Sequence, residues 1–155
     1  MVQELVAHAR QEAPNECCGM IAARDGQAVR VYRARNAAAS PLRYDIDAED
    51  ILRVTQELDR DDLALGAIYH SHTRSAPYPS QTDVNYAFFP GRDEAMWPDA
   101  LYIIVGVSSE EPEVRAYRIP ARDRIEEVEL EVVDYGGPEA RRRHQGADWK
   151  EAQGD

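Results

Sequence analysis

The sequence predicts one domain of mixed α and β structure, and three features carry that expectation. Apolar residues recur at helical spacing over Val2 to Ala9 and again over Ile51 to Leu58. Cys17 to Ala23, Leu63 to Tyr69 and Leu101 to Val107 are apolar runs of strand length. At 155 residues the chain can bury a single core without disulfides or structural metal, and a second domain does not fit.

Taken in order, Val2, Leu5, Val6 and Ala9 line one face of a first helix, which Pro14 should stop; His8 is read as exposed on it. The apolar run from Cys17, the Asp25-Gly26 pair and the alternation through Val29 and Val31 read as a hairpin with a tight turn. Leu42, Tyr44 and Ile46 alternate as a short strand. Asp47, with Asp50 three residues later, caps a helix through Leu58. Arg60-Asp61-Asp62 breaks the chain before the strand that runs into His70. A loop over Thr73 to Pro79 leads to a short helix from Ser80 towards Phe89, ended by Pro90-Gly91. Gly91 to Ala100 is an irregular loop, either a lid or substrate wall or, through Trp97, a cover for the core. Leu101 to Val107 and Val114 to Ile119 read as buried strands, and Val128, Leu130 and Val132, alternating with glutamates, as an edge strand blunted by charge. The domain should close near residue 135. Residues 136–155 lack apolar periodicity and are expected to be disordered, with Arg141-Arg142-Arg143 either a binding patch or part of a solvated tail.

A formal net charge of −11 argues against nucleic acid, whose non-specific affinity comes from phosphate neutralisation. No apolar run is long enough to span a membrane, and Met1 to Leu5 lacks the regions of a signal peptide, so a cytoplasmic protein is expected. Cys17 and Cys18 are adjacent, which suits neither a disulfide framework nor a metal knuckle. Packing is the expectation for them, with a nucleophilic cysteine the alternative.

The chemistry concentrates in Tyr69-His70-Ser71-His72 and Ser80-Gln81-Thr82-Asp83. At the end of a strand, a period of two puts both imidazoles on one face and Ser71 on the other. If a helix starts at Ser80, its hydroxyl and the Asp83 carboxylate share the first turn. His70, His72 and Asp83 would then supply the three N or O ligands of a catalytic zinc, one ion per chain, leaving a fourth position to water. The pattern H-x-H-x7-S-x2-D arises by chance in a chain of this composition about 3 times in 10,000, an order-of-magnitude guard. Each half has an ordinary reading too: two solvated histidines, and a capping-box variant. Glu16 stands at the head of a strand destined for the core, where an unpaired charge is expensive. It is either put to use there or is a solvated rim residue.

Glu16 with Gly19, His70-Ser71-His72, Ser80 and Asp83 together resemble the signature of the JAMM (MPN-plus) zinc metalloproteases, with every position filled. The resemblance covers about Val2 to Val133. It implies a mixed, curved sheet between helices, a cytidine deaminase-like arrangement, with zinc on His70, His72 and Asp83. It also implies Glu16 as the base that activates water, and Ser80 as hydrogen-bond donor to the developing oxyanion. Val6 to Arg10, Tyr69 to Thr73 and Tyr78 to Ser80 with Thr82-Asp83 more closely resemble bacterial members that hydrolyse a ubiquitin-like sulfur-carrier protein joined through its C-terminal Gly-Gly to cysteine. Precursor trimming, isopeptide cleavage and a non-catalytic interaction scaffold are the alternatives, and monomer and homodimer are both open. Relatives usually begin with a strand ahead of the first helix, which is missing here, and the Gly91 to Ala100 loop is longer than in the nearest of them. Lys150, in the tail, is the single lysine, so the domain itself would offer no acceptor for a carrier joined to lysines.

Overall fold

The apolar runs pair where their composition would place them, at the centre of one sheet. The computed structural model describes residues 1–132 and 149–151. Its elements are α1 (Val2–Glu12), β1 (Cys18–Arg24), β2 (Gln27–Ala34), α2 (Ala48–Arg60), β3 (Ala64–His72), α3 (Gln81–Tyr86), β4 (Leu101–Gly106), β5 (Glu113–Ala121), β6 (Arg124–Val128), β7 (Leu130–Val132) and β8 (Trp149–Glu151). The sheet has the order β6-β5-β4-β3-β1-β2-β8-β7. Among the described strands only β3 and β4 pair in parallel, so the sheet is mixed. β6 and β7 end the order on opposite sides, yet only Glu129 separates them in the chain. A two-residue step spans at most about 7 Å, so the sheet must curl to bring its ends together.

Period-two alternation sorts the central side chains between two cores. Cys18, Met20, Ala22, Ile68 and Tyr102 pack with Val54 and Leu58 of α2 and Val84 of α3. Cys17, Ile21, Ala67, Tyr69, Ile103 and Val105 pack with Leu5, Val6 and Ala9 of α1. Helices therefore cover both faces of the sheet, and His70 and His72 emerge on the face shared by α2 and α3. The expected hairpin turn is present, with Asp25 and Gly26 both at positive φ (54° and 76°), the conformation a two-residue turn needs to match strand twist. Asp47 caps α2 by accepting from the Glu49 and Asp50 amides.

Several expectations are corrected. Leu42, Tyr44 and Ile46 form no strand. Tyr44 and Ile46 are buried, but the segment spends its backbone groups on the Asn36 side chain, Ser40 Oγ and the Tyr86 hydroxyl, leaving one isolated bridge, Asn36 to Ile46. His8 is buried, because its imidazole meets the Tyr69 hydroxyl at 2.8 Å beneath α1. α3 stops at Tyr86, where the chain turns into a bridge between Phe88 and Ala95. β5 buries Ala116, Tyr117 and Ile119 but exposes Arg115 and Arg118, and Arg115 pairs at the surface with Glu113 and Glu127. The glutamate-rich segment makes two strands, with β6 on β5 and β7 on β8. Of the stretch expected to be disordered, residues 136–148 and 152–155 lie outside the described residues, and Trp149–Glu151 form β8. Trp97 packs against the core, in keeping with the second of the two readings offered for its loop. Among the described residues no helix is long and apolar enough to cross a membrane.

Candidate metal centre

β3 and α3 together build the site. β3 carries His70 and His72 on the face towards α3, while Ser71 turns away and accepts the Cys17 amide at 2.8 Å. The Ser71 amide in turn donates to the Cys17 carbonyl, so the ladder is prolonged beyond β1 and the residue before it, Glu16, is drawn up beside His72. Glu16 is further held by its amide on the Ser40 carbonyl and its carbonyl under the Asn36 amide group. On the far side, Ser80 and Asp83 close a capping box: the Asp83 amide donates to Ser80 Oγ, and the Ser80 amide donates to Asp83 Oδ2 at 2.9 Å. The capping reading of that pair and a functional one are thus compatible, because the cap itself aims the carboxylate at the histidines.

The three candidate ligand atoms converge. His70 Nε2 is 3.2 Å from His72 Nε2 and 3.1 Å from Asp83 Oδ2, and His72 Nε2 is 2.9 Å from that same oxygen. All three residues are buried. His72 Nδ1 lies 2.8 Å from the Ala76 carbonyl, which can only accept, so that nitrogen carries the proton. In the neutral ring Nε2 then presents a lone pair to a carboxylate oxygen that already accepts from Ser80. Two acceptors so close require either a second proton or a cation between them. Zinc bonds of about 2.0–2.1 Å in a tetrahedron set ligand atoms about 3.3 Å apart, close to the edges found here, so the residues present fit such an ion.

Glu16 stands outside this trio. It is 4% exposed, and one of its carboxyl oxygens is buried without a hydrogen-bond partner, which overturns the solvated-rim reading. Burial and the charge of Asp83 push its pKa up to about 8, against a smaller opposite pull from His72. Burial lowers the His70 imidazole despite Asp83. In His72 burial is outweighed by the hydrogen bonds to Asp83 and Ala76, so the net shift is upward. Burial alone would raise Asp83, but the imidazoles and the Ser80 amide hold it well below the carboxylate range. The cysteines play no part. Burial pushes Cys17 up to about 12 and Cys18 higher still, leaving both as neutral thiols.

Glu16, His70, His72, Ser80 and Asp83, the five residues expected at the site, therefore all reach this region. Asn36, Ala76 and Tyr44, whose ring stacks on His70 with centroids 4.2 Å apart, were not foreseen there. Asn36 and Tyr44 act through contacts between distant segments, which no spacing rule reveals, and Ala76, four residues after His72, contributes a backbone carbonyl that side-chain pattern does not mark.

Two histidines at the end of β3 and an aspartate on α3 form a candidate metal site, and a buried glutamate just ahead of β1 stands beside it. Residues 1–120 match the family described as prokaryotic homologs of the JAB domain, and the chain belongs to that family. It is 38% identical over 124 residues to the CysO-cysteine peptidase of Mycobacterium tuberculosis, covering 77% of this chain and 78% of the relative. It is 34% identical over 131 residues to a probable TtuB-protein conjugate cleaving protease of Thermus thermophilus, covering 84% and 79%. Among solved structures, the solution structure of protein DSY2949 from Desulfitobacterium hafniense superposes with a TM-score of 0.66 at 29% identity, over 81% of this chain and 83% of that one. The protein is a JAMM-type hydrolase on a single α/β domain.

Proposed function

We propose that this hydrolase is a zinc peptidase that cuts the bond after the C-terminal Gly-Gly of a ubiquitin-like sulfur-carrier protein joined to cysteine, releasing the amino acid in the cytoplasm. The observation that carries the reading is the trio of ligand atoms 2.9–3.2 Å apart with a buried, unpartnered glutamate oxygen beside it. The substrate rests on the likeness to a CysO-cysteine peptidase.

His70, His72 and Asp83 would hold one zinc. When bound, the ion supplies Lewis-acid polarisation of the carbonyl and a water acidic enough to attack at neutral pH. Glu16 takes the proton of the attacking water and passes it to the leaving amine, a role suited to a carboxyl buried beside the trio with one oxygen left without a hydrogen-bond partner among the described residues. Ser80 Oγ spends a lone pair on the Asp83 amide, so its O–H remains free to donate to the carbonyl oxygen as charge develops there. The Ser80 amide and the Ala76 carbonyl orient Asp83 and His72 in turn.

A second reading, cleavage of carrier–protein conjugates, is favoured by the likeness to a conjugate-cleaving protease. Both are tested by incubating zinc-loaded protein with a carrier–cysteine adduct and with a carrier–lysine isopeptide conjugate, alongside Glu16→Gln. Faster turnover of the adduct, abolished in Glu16→Gln, supports the first reading. Turnover of the conjugate alone replaces it with the second, and turnover unchanged in Glu16→Gln removes that residue from the chemistry.

A further inference from the structure

The two histidines of the site are held in different ways. His72 is oriented as metal-binding imidazoles usually are, by a hydrogen bond at its other nitrogen, here to the Ala76 carbonyl. Among the described residues His70 has no such bond: its Nδ1 is buried and without a partner. Besides the contact of Nε2 with Asp83 Oδ2 at 3.1 Å, what holds its ring is packing. Tyr44 lies against it, centroids 4.2 Å apart and planes 18° from parallel. The His72 ring meets it edge-on at 5.0 Å.

Tyr44 is itself clamped. Its ring packs edge-on against Tyr86 of α3 at 4.6 Å. The Tyr86 hydroxyl accepts the Ile46 amide and donates to Asp45 Oδ1, pinning the segment that carries Tyr44 to the helix that carries Asp83. The Tyr44 hydroxyl has no partner among the described residues, so its phenol contributes a flat face here rather than a hydrogen bond.

We propose that Tyr44 is the positioning residue for His70, its ring standing in for the missing hydrogen bond at Nδ1 and joining β3 to α3 as one rigid ligand frame. This rests on the metal reading of the trio. A flat ring pressed on one face denies the imidazole the clearance it needs to rotate about its Cβ–Cγ bond, so Nε2 stays aimed at Asp83.

The test is zinc affinity by chelator competition, together with the ring ¹⁵N–¹H NMR spectrum of His70 in metal-free protein, for wild type, Tyr44→Phe, Tyr44→Leu and the core control Leu5→Ala. Tyr44→Phe keeps the face and should bind zinc within about 3-fold of wild type. Tyr44→Leu should bind about 10- to 100-fold more weakly, the range for loss of a group that orients a ligand. Its His70 ring signals should broaden or double in the metal-free protein, whereas Leu5→Ala, on the opposite face of the sheet, should change neither readout. Equal affinity in Tyr44→Leu and wild type overturns the proposal, as does a loss in Tyr44→Phe matching that in Tyr44→Leu, which would assign the effect to the hydroxyl. A wild type that takes up no zinc, with His72→Ala indistinguishable from it, overturns the metal reading itself and Tyr44's role with it.

Discussion

Replacing Gly19 by alanine should damage both the sheet and the site, and the size of the effect follows from the cross-strand geometry. Gly19 on β1 pairs with Tyr69 on β3 and Arg33 on β2. A Cβ at that position would stand 2.5 Å from Tyr69 Cζ and nearer still to Tyr69 Cε1 and the Tyr32 carbonyl oxygen. Ordinary contact begins at 3.4 Å, so something must retreat by more than about 0.9 Å, the difference 3.4 − 2.5 for the farthest of the three atoms. Tyr69 is fully buried and its hydroxyl is tied to His8, and the Tyr32 carbonyl is sheet backbone, so neither neighbour can give way alone. Overpacking of this kind costs about 3 kcal/mol at its upper end. Alanine returns about 0.4–1 kcal/mol by restricting the unfolded chain. The net loss is about 2 kcal/mol. With a urea slope of about 1–3 kcal/mol/M, the midpoint should fall by about 1 M when wild type and variant are compared metal-free. Because Tyr69 precedes His70, a shift of this size also misaligns the ligands, and a 1 Å displacement can lower turnover about 100-fold. A midpoint within about 0.3 M of wild type, with unchanged activity, would refute the reasoning.

The other expectations follow from single contacts. Asp83→Asn should abolish stoichiometric zinc, read by metal analysis of purified protein, because it removes the one anionic ligand of the trio. Ser80→Ala should lower turnover about 100-fold, some 3 kcal/mol, through the lost donor to the oxyanion, and separately lower stability by about 1 kcal/mol through the lost cap on α3, seen in denaturant titration. His8 should make stability pH-dependent. Burial, with a smaller contribution from Arg33, lowers its pKa from 6.5 to about 4, so between those values the unfolded chain binds more protons than the folded one. Its contribution is therefore complete above about pH 6.5 and is lost as pH falls towards 4, by at most about 3 kcal/mol. His8→Gln should flatten that part of the stability profile relative to wild type, and an unchanged slope would show that His8 does not titrate there.

Local rules made much of this protein legible. A strand period of two put His70 and His72 on one face, Asp47 marked the start of α2, Asp25-Gly26 marked the turn, and Pro79-Ser80 marked α3; each depends on residues a few positions apart. The same rules failed where local pattern competes with distant partners. Tyr44 and Ile46 alternate like a strand, but Tyr86 and Asn36 claim the backbone around them. His8 looks solvated on its helix until Tyr69, 61 residues on, meets it.

The sequence by itself determined that His70 and His72 share a face and that Ser80 and Asp83 share a turn, because face and spacing are properties of a single turn or strand. Only the tertiary structure decided what each would feel. The burial of Glu16, the 2.9–3.2 Å separations among the ligand atoms and the Tyr44 ring on His70 arise where β1, β3, α3 and the Asn36 to Ile46 segment meet. Desolvation and charge coupling are set by neighbours in space, and no periodicity along the chain encodes who those neighbours are.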